Sequence, residues 1–137
     1  MTNAAVFFAL LAQVALTLSL YPLLLKRKKA ARAAGLVDEQ RAPLDDNAWP
    51  DPVRQVNNCI SNQFASPMLF YVLLLTLFIT ASVNLFTLVL AWAYVASRIA
   101  HAWVHVHSNY VPLRRNLFAG GLLMLIALAM QLFIALL

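Results

Sequence analysis

The sequence has few charged residues, a single cysteine and little glycine, and each shortage removes a class of protein. Only 11% of the 137 residues are charged while 63% are hydrophobic, so too little polar surface exists to cover a water-soluble domain. The lone Cys59 excludes an intrachain disulfide. We find no glycine-rich phosphate loop and no credible Ser-His-Asp set, which removes the common signatures of soluble enzymes.

Four long apolar blocks dominate what remains, and each is long enough to cross a bilayer. About 20 apolar residues span the hydrocarbon core as a helix. We predict an all-α fold, an integral membrane four-helix bundle, forming a single membrane domain of residues 1–137. Its helices are predicted at about 4–25, 53–80, 83–107 and 117–137, with a cytoplasmic loop at about 26–52. No basic residue precedes the first block, so we interpret it as a retained membrane helix.

Basic residues cluster at two of the predicted connections. They crowd the segment from Lys26 to Arg32, and Arg114 and Arg115 stand between the third and fourth helices. The positive-inside rule places both connections in the cytoplasm and both termini on the other side. We therefore expect a multi-pass protein of a bacterial inner membrane, in contact with anionic membrane lipids. This distribution of the net charge favours a membrane, and not a nucleic acid, as the partner.

Two stripes of polar residues enter the predicted spans, at steps of three or four residues that place each stripe on one helix face. The stripe on the second helix consists of Arg54, Asn58, Ser61, Asn62 and Ala65. The stripe on the third helix consists of Tyr94, Ser97, Arg98, His101, His105 and Ser108. Polar groups in a membrane usually face the bundle interior or a wet cavity. We predict that the two stripes face each other and line one polar cleft open to the cytoplasm.

Arg98 is the most informative member of these stripes, because no acidic residue in any predicted helix can pair with it. Together with Arg54, Arg114 and Arg115 it predicts a cationic site for carboxylates or phosphates. The apolar walls below would admit a lipophilic small molecule from the bilayer. The alternative is that the Arg98 side chain only reaches the head groups or bonds to backbone carbonyls.

His101 and His105 are four residues apart, a spacing that suits two metal or heme ligands on one helix face. No carboxylate or cysteine joins them on the third helix. We therefore predict no metal site, and we interpret Cys59 as a small apolar filler.

The residues of these stripes resemble the MAPEG family (membrane-associated proteins in eicosanoid and glutathione metabolism), in its bacterial branch. The resemblance rests on the run from Arg54 to Pro67, on Arg98-Ile-Ala-His101 and on Tyr110-Val-Pro-Leu-Arg114, and the chain length and four-helix layout agree with it. It implies a homotrimer that holds glutathione, as co-substrate, between adjacent subunits near the cytoplasmic side. Family enzymes conjugate glutathione to lipophilic electrophiles, reduce lipid hydroperoxides or isomerise lipid endoperoxides.

The resemblance also implies roles for individual residues. The implied catalytic residues are Arg114, Arg98 and His101, and either Arg114 or Arg115 matches the family arginine that helps activate the glutathione sulfur. The implied substrate-binding residues are Arg54, Asn58, Asn62, Tyr94, His105 and Arg115. One position departs from the family's Asn-x-x-Glu signature, which begins at Asn62. Ala65 stands where the glutamate receives the ammonium of the γ-glutamyl group.

The sequence leaves two functions open. The first is a glutathione-dependent transferase or peroxidase for lipophilic substrates, in which an arginine lowers the pKa of the thiol and supports the thiolate nucleophile. The second is a non-catalytic membrane bundle that binds lipid or a partner membrane protein through the same cationic cleft. Ala65 favours the second function, and the set of arginines favours the first.

Overall fold

The chain is all-helical over the part that the computed structural model describes, residues 2–137, and that part contains no strand. The helices are α1 (Thr2–Ala33), α2 (Asp51–Gln63), α3 (Ser66–Ile79), α4 (Leu85–Val106) and α5 (Val111–Ala135), with a 3-10 turn at Asp46–Ala48. α2 and α3 follow each other and together form one span. With α1, α4 and α5 this gives four stretches that are long and apolar enough to cross a membrane. The predicted all-α membrane fold is confirmed.

α1 is longer than predicted, because it continues to Ala33 instead of ending near residue 25. The added segment consists of lysine, arginine and alanine, which favour helix. The helix stops at Gly35, whose φ of 66° lies in the left-handed region. The amides of Gly35 and Leu36 donate to the carbonyls of Arg32 and Ala31, the bonding pattern of a Schellman cap. The loop predicted at about 26–52 is therefore shortened to 34–50.

The second span is interrupted, although a continuous helix was predicted over about 53–80. Phe64 and Ala65 separate α2 from α3 and have non-helical backbone angles. Pro67 lies in the first turn of α3, where its missing N–H removes no helical hydrogen bond. Pro67 therefore begins a new helix instead of kinking a continuous one, whereas Pro22 lies inside α1.

The last two helices are joined by a short connection, 107–110, rather than by the predicted segment 108–116. α4 begins at a capping box in which Asn84 and Thr87 bond reciprocally. α5 begins at Val111 with Pro112 in its first turn, a position that favours helix initiation. Arg114 and Arg115 are thus part of α5 and do not lie in the connection between the helices.

The loop 34–50 folds back over the end of α1 and is held by basic residues. Trp49 is buried, and its ring centroid lies 4.7 Å from Lys28 Nζ and 5.0 Å from Arg32 Cζ, distances typical of cation–π contacts. The Arg27 guanidinium donates to the carbonyls of Pro52 and Val106. Part of the basic cluster therefore stabilises the fold within the chain, in addition to the role in orientation that the sequence predicted.

The core contains two apolar clusters along the bundle and a third, of Ala31, Trp49 and Val53, beside the loop 34–50. The larger one lies towards the start of α1 and contains Val6, Ala9, Leu10, Phe70, Leu74, Leu77, Ala91, Tyr94, Val95, Leu125 and Leu128. The smaller one contains Leu20, Val56, Cys59, Ile60, Ala102 and Val106. The smaller cluster lies towards the end of the bundle that carries the loop 34–50, here called the charged end. Near the larger cluster α4 and α5 approach closely, since a Cβ on Gly121 would lie 3.2 Å from Ser97 Oγ.

Candidate functional site

The buried face of α4 carries a row of polar side chains at helical spacing. Tyr94, Arg98, His101 and His105 are each at most 3% exposed. Their steps of three and four residues place them on the side of α4 that faces the other helices. These four members of the predicted stripe share the interior face, while Ser97 is half-buried and Ser108 is exposed.

Arg98 lies against the end of α2. Its Nη2 donates to the backbone carbonyl of Asn62 at 3.3 Å, and its Cζ lies 5.6 Å from the centroid of the Phe118 ring. Carbonyls at a helix C-terminus lack partners within the helix and carry partial negative charge, so a cation is favourable there. Nε and Nη1 of Arg98 are buried and have no hydrogen-bond partner within residues 2–137. One side of the guanidinium therefore binds the backbone, and two of its donor nitrogens remain unused.

The two histidines lie on the turns of α4 beyond Arg98. Their ring centroids are 5.7 Å apart in an edge-on arrangement, and His101 lies 6.0 Å from the Phe118 ring centroid. Nδ1 of each imidazole is buried without a partner in the described part of the chain. Arg98 and Arg114 are both near enough for their charges to act on the two imidazoles. The interior near the charged end thus gathers two guanidinium groups and two imidazoles.

Arg114 and Arg115 are neighbours in the first turn of α5 but differ in environment. Arg114 is half-buried, and its Nη1 donates to Oδ1 of Asn109. Asn109 has a φ of 51°, a left-handed conformation that asparagine tolerates better than most residues. Arg115 is exposed. Of the two arginines that the family resemblance leaves open, Arg114 is the one held beside the α4 row.

Tyr94 belongs to the apolar core as well as to the polar row. Its ring stacks on Phe70 with centroids 4.6 Å apart, and its hydroxyl lies 3.2 Å from Ser66 Oγ. Because Ser66 is the first residue of α3, this hydrogen bond connects α4 to the break in the second span.

The polar stripe of α2 does not face the stripe of α4, so the predicted cleft between them is wrong for a single chain. Asn58, Ser61 and Ala65 are exposed, and Arg54 and Asn62 are half-buried. The inward face of α2 instead carries Val53, Val56, Cys59, Ile60 and Gln63. Burial of these mostly apolar side chains sets the rotation of the helix. Arg54 makes an ion pair with Asp51 at 3.3 Å, and Asn62 reaches Arg98 only through its carbonyl.

A buried amide pair beside the break was missed by the sequence analysis. Gln13 Nε2 donates to Gln63 Oε1 at 3.0 Å, and Gln63 Nε2 donates to the carbonyl of Cys59 at 3.2 Å. Both glutamines are at most 1% exposed. The available signal was the amide of Gln13 within an apolar run, since a polar side chain in a membrane span usually bonds across helices.

Gln13→Leu is expected to destabilise the bundle, because it leaves the side-chain oxygen of the buried Gln63 without a donor. Such an unsatisfied group costs about 1–3 kcal/mol. The double variant Gln13→Leu/Gln63→Leu removes both polar groups and should recover most of the loss. The measurement is reversible unfolding in detergent followed by circular dichroism. Equal stability of Gln13→Leu and the wild type would contradict this role for the pair.

An apolar cavity of about 270 Å³ opens between α1 and the break in the second span. Its lining residues are Val14, Thr17, Leu18, Tyr21, Gln63, Phe64 and Tyr71. Gln63 adjoins Asn62, whose carbonyl accepts from Arg98. The cavity and the Arg98 guanidinium therefore contact two adjacent residues of the same short stretch of chain.

Residues 2–137 hold no group of three or more histidine, cysteine, aspartate or glutamate side chains that could bind a metal ion. His101 and His105 thus stand as a pair without a third ligand of these types nearby.

Comparison with known proteins identifies a family for this chain. The model of the MAPEG family matches residues 6–134, a range that includes α2, α4, the start of α5 and every residue of the site described above. Neither the curated proteins nor the solved structures gave a match. The family predicted from the motifs around Asn62, Arg98 and Arg114 is confirmed, and the chain belongs to the MAPEG family.

Proposed function

We propose that this protein is a glutathione-dependent transferase or peroxidase of the MAPEG type, which acts on lipophilic substrates in the membrane and uses glutathione or a related anionic thiol. The observation that carries the proposal is Arg98, a buried guanidinium with two unused donor nitrogens. A charge removed from water is costly unless it is paired and hydrogen-bonded. A bound anion would supply the missing charge and the missing acceptors.

The polar row near the charged end suits a thiolate nucleophile. The thiolate, not the thiol, is reactive, and neighbouring guanidinium groups lower the pKa of a bound thiol. In the proposed conjugation Arg98 and Arg114 support the sulfur anion and His101 donates a hydrogen bond to the sulfur or the leaving group. The sulfur attacks an electrophilic carbon, a carbon–sulfur bond forms, and the leaving group departs with its bonding electrons. His105 extends the row of donors towards the charged end.

The lipophilic substrate has a separate approach in this proposal. The apolar cavity beside the break is open between α1 and α3, the side from which a molecule dissolved in the bilayer would enter. Gln63 in its wall is the residue next to Asn62.

We also propose that subunits assemble as the homotrimer that the family resemblance implies. Asn58 and Ser61 are exposed on a span long and apolar enough for a membrane. Exposure of these amide and hydroxyl groups to lipid is unfavourable, and such groups usually face another helix. A neighbouring copy packed on this face of α2 would cover them and bring Arg54, Asn58 and Asn62 to the subunit boundary.

Orientation and location follow from charge in the same proposal. The charged end contains the basic residues of α1 and Arg114 and Arg115 of α5. The positive-inside rule places this end in the cytoplasm, with both termini on the other side of a bacterial inner membrane. A water-soluble thiol would then reach Arg114 from the cytoplasm.

A non-catalytic bundle that binds lipid or a partner membrane protein is the second candidate. It is favoured by the bond between Arg98 and the Asn62 carbonyl, since this contact gives the arginine a structural role without a ligand. Ala65 in place of the family glutamate favours it as well.

Thermal unfolding of the detergent-purified protein with and without glutathione tests the proposal. A ligand that binds only the folded state raises the free energy of unfolding by about 2.7 kcal/mol at about 100 times its Kd. We expect millimolar anionic thiol to raise the melting temperature and 2-mercaptoethanol to leave it unchanged. We also expect turnover of an aryl chloride with the anionic thiol. A shift without turnover would favour the non-catalytic bundle. No shift with any anionic thiol would refute the proposal.

A further inference from the structure

We infer that the thiol co-substrate of this site is an anion without an ammonium group, because the site offers donors for carboxylate and thiolate but no carboxylate to bind a positive charge. This inference rests on the proposed function and specifies the class of co-substrate within it. Glutathione carries two carboxylates and one ammonium. The favoured molecule would keep the carboxylates and the thiol and lack the amine.

The distribution of acidic residues is the first argument. All five carboxylates of the chain lie between Asp38 and Asp51, and residues 52–137 contain none. The segment that holds Asn62, Arg98 and Arg114 therefore provides only neutral and cationic side chains. A second copy of the chain packed against the site repeats this segment and adds no carboxylate to it from residues 52–137.

The carboxylates near the charged end are the second argument, because each already has a partner. Asp51 is the first residue of α2 and Asp46 lies just before the helix, and both are engaged by residues of that helix. The contacts are Glu39 with Arg32 at 2.8 Å, Asp51 with Arg54 at 3.3 Å, Asp45 with Arg41, Asp46 with Asn57 at 3.3 Å, and Asp38 with the amide of Gln40 at 3.2 Å. An ammonium would have to compete with these groups.

Distance along α2 is the third argument. Asp51 begins the helix and Asn62 lies near its end. The two residues are separated by about three helical turns, or about 16 Å at 1.5 Å per residue. A tripeptide whose thiol lies near Arg98 would need to extend over this whole length to bring its ammonium to Asp51.

The backbone at the break is the fourth argument, since carbonyls are the other acceptors available to an ammonium. The carbonyl of Ser61 accepts from the Phe64 amide at 3.1 Å, and that of Ala65 accepts from the Met68 amide at 3.1 Å. The carbonyl of Asn62 accepts from Arg98. At position 65 the chain offers a methyl group in place of a carboxylate. Three carbonyls beside the break thus already have a donor, and the remaining acceptors there are neutral, because residues 52–137 contain no acidic residue.

A positive charge beside the break in the second span is also repelled by Arg98 and Arg114. The repulsion energy between two like charges several ångströms apart near a protein surface is of the order of kilocalories per mole, and not of tenths of a kilocalorie per mole. Removing the ammonium from glutathione, as in glutaryl-cysteinyl-glycine, should therefore tighten binding by about tenfold. This analogue has the same backbone length, both carboxylates and the thiol.

Isothermal titration of the full chain in detergent, with glutathione and with glutaryl-cysteinyl-glycine, tests the inference. For the wild type we expect the analogue to bind about tenfold more tightly. Ala65→Glu should reverse the preference by restoring a carboxylate, and Ala65→Gln, which has the same size without the charge, should keep the wild-type order. Ala65 is exposed, and circular dichroism checks that both variants fold.

The outcomes separate the two claims. If the wild type binds glutathione as tightly as the analogue or more tightly, the inference is wrong and the proposed thiol-dependent function stands. If neither ligand binds, both fail. Tighter binding of the analogue that Ala65→Gln reverses as well as Ala65→Glu would show that size, and not charge, sets the preference, and would also overturn the inference.

Discussion

Replacing Arg98 with methionine is expected to abolish binding of the anionic thiol while leaving the bundle at least as stable as the wild type. Arg98 is 1% exposed and, within residues 2–137, has a single hydrogen bond, to the Asn62 carbonyl. Replacing buried charged groups by apolar residues of similar volume is often neutral or stabilises by about 1–4 kcal/mol. Loss of about two charge-assisted bonds to a ligand, at about 1.5–3 kcal/mol each, would weaken binding by about 100-fold or more.

The two readouts for this variant are thermal unfolding without ligand and titration with the thiol. We expect the stability to be kept or raised while thiol binding is lost. This combination distinguishes an arginine that binds a ligand from one that only stabilises the end of α2. If Arg98→Met unfolds far below the wild type, the bond to the Asn62 carbonyl is its main role and the proposed site is wrong. Arg98→Lys keeps the charge without the planar guanidinium, so we expect it to retain part of the affinity.

Arg114→Ala is expected to lower kcat/KM of the conjugation by about 100- to 1000-fold, the usual cost of removing a group that stabilises a developing anion. The side chain is half-buried and oriented by Asn109. Arg115→Ala is the comparison, because its exposed side chain should contribute at least about tenfold less. Equal losses for the two variants would contradict the assignment of Arg114 to the site.

The pH profile gives Arg114 a second readout. Without a nearby guanidinium, the pKa of the bound thiol should rise towards its ordinary value of about 8.5. A smaller fraction is then thiolate at neutral pH, so the deficit of Arg114→Ala should shrink as the pH rises through this range. A deficit that stays constant with pH would assign Arg114 to positioning alone.

The sequence predicted the four spans and the inward row on α4, because both depend on local information. A long apolar run specifies a membrane helix, and the spacing of Tyr94, Arg98 and His105 specifies a shared face. Pro67 also indicated the break between α2 and α3, because a proline is accommodated best in the first turn of a helix. Reading that turn as a new helix would have predicted the interruption.

The rotation of α2 was not predictable in the same way. Both of its faces carry residues at helical spacing, so periodicity alone does not decide which one is buried. The choice depends on Val53, Val56 and Ile60 packing against α1 and α4, which is tertiary information. The Gln13 to Gln63 bond joins residues 50 positions apart, and neither residue identifies the other along the chain.

The interruption at Phe64 and Ala65 also bears on how the protein enters the bilayer. α2 and α3 have 13 and 14 residues, so each is about 20 Å long at 1.5 Å per residue, shorter than the hydrocarbon thickness of about 30 Å. Neither half can cross unaided, and the polar surface of α2 makes its partition into lipid unfavourable. We therefore expect stable integration of this segment during biosynthesis to depend on α1 already being in the membrane, with the Gln13 amide available to bond to Gln63.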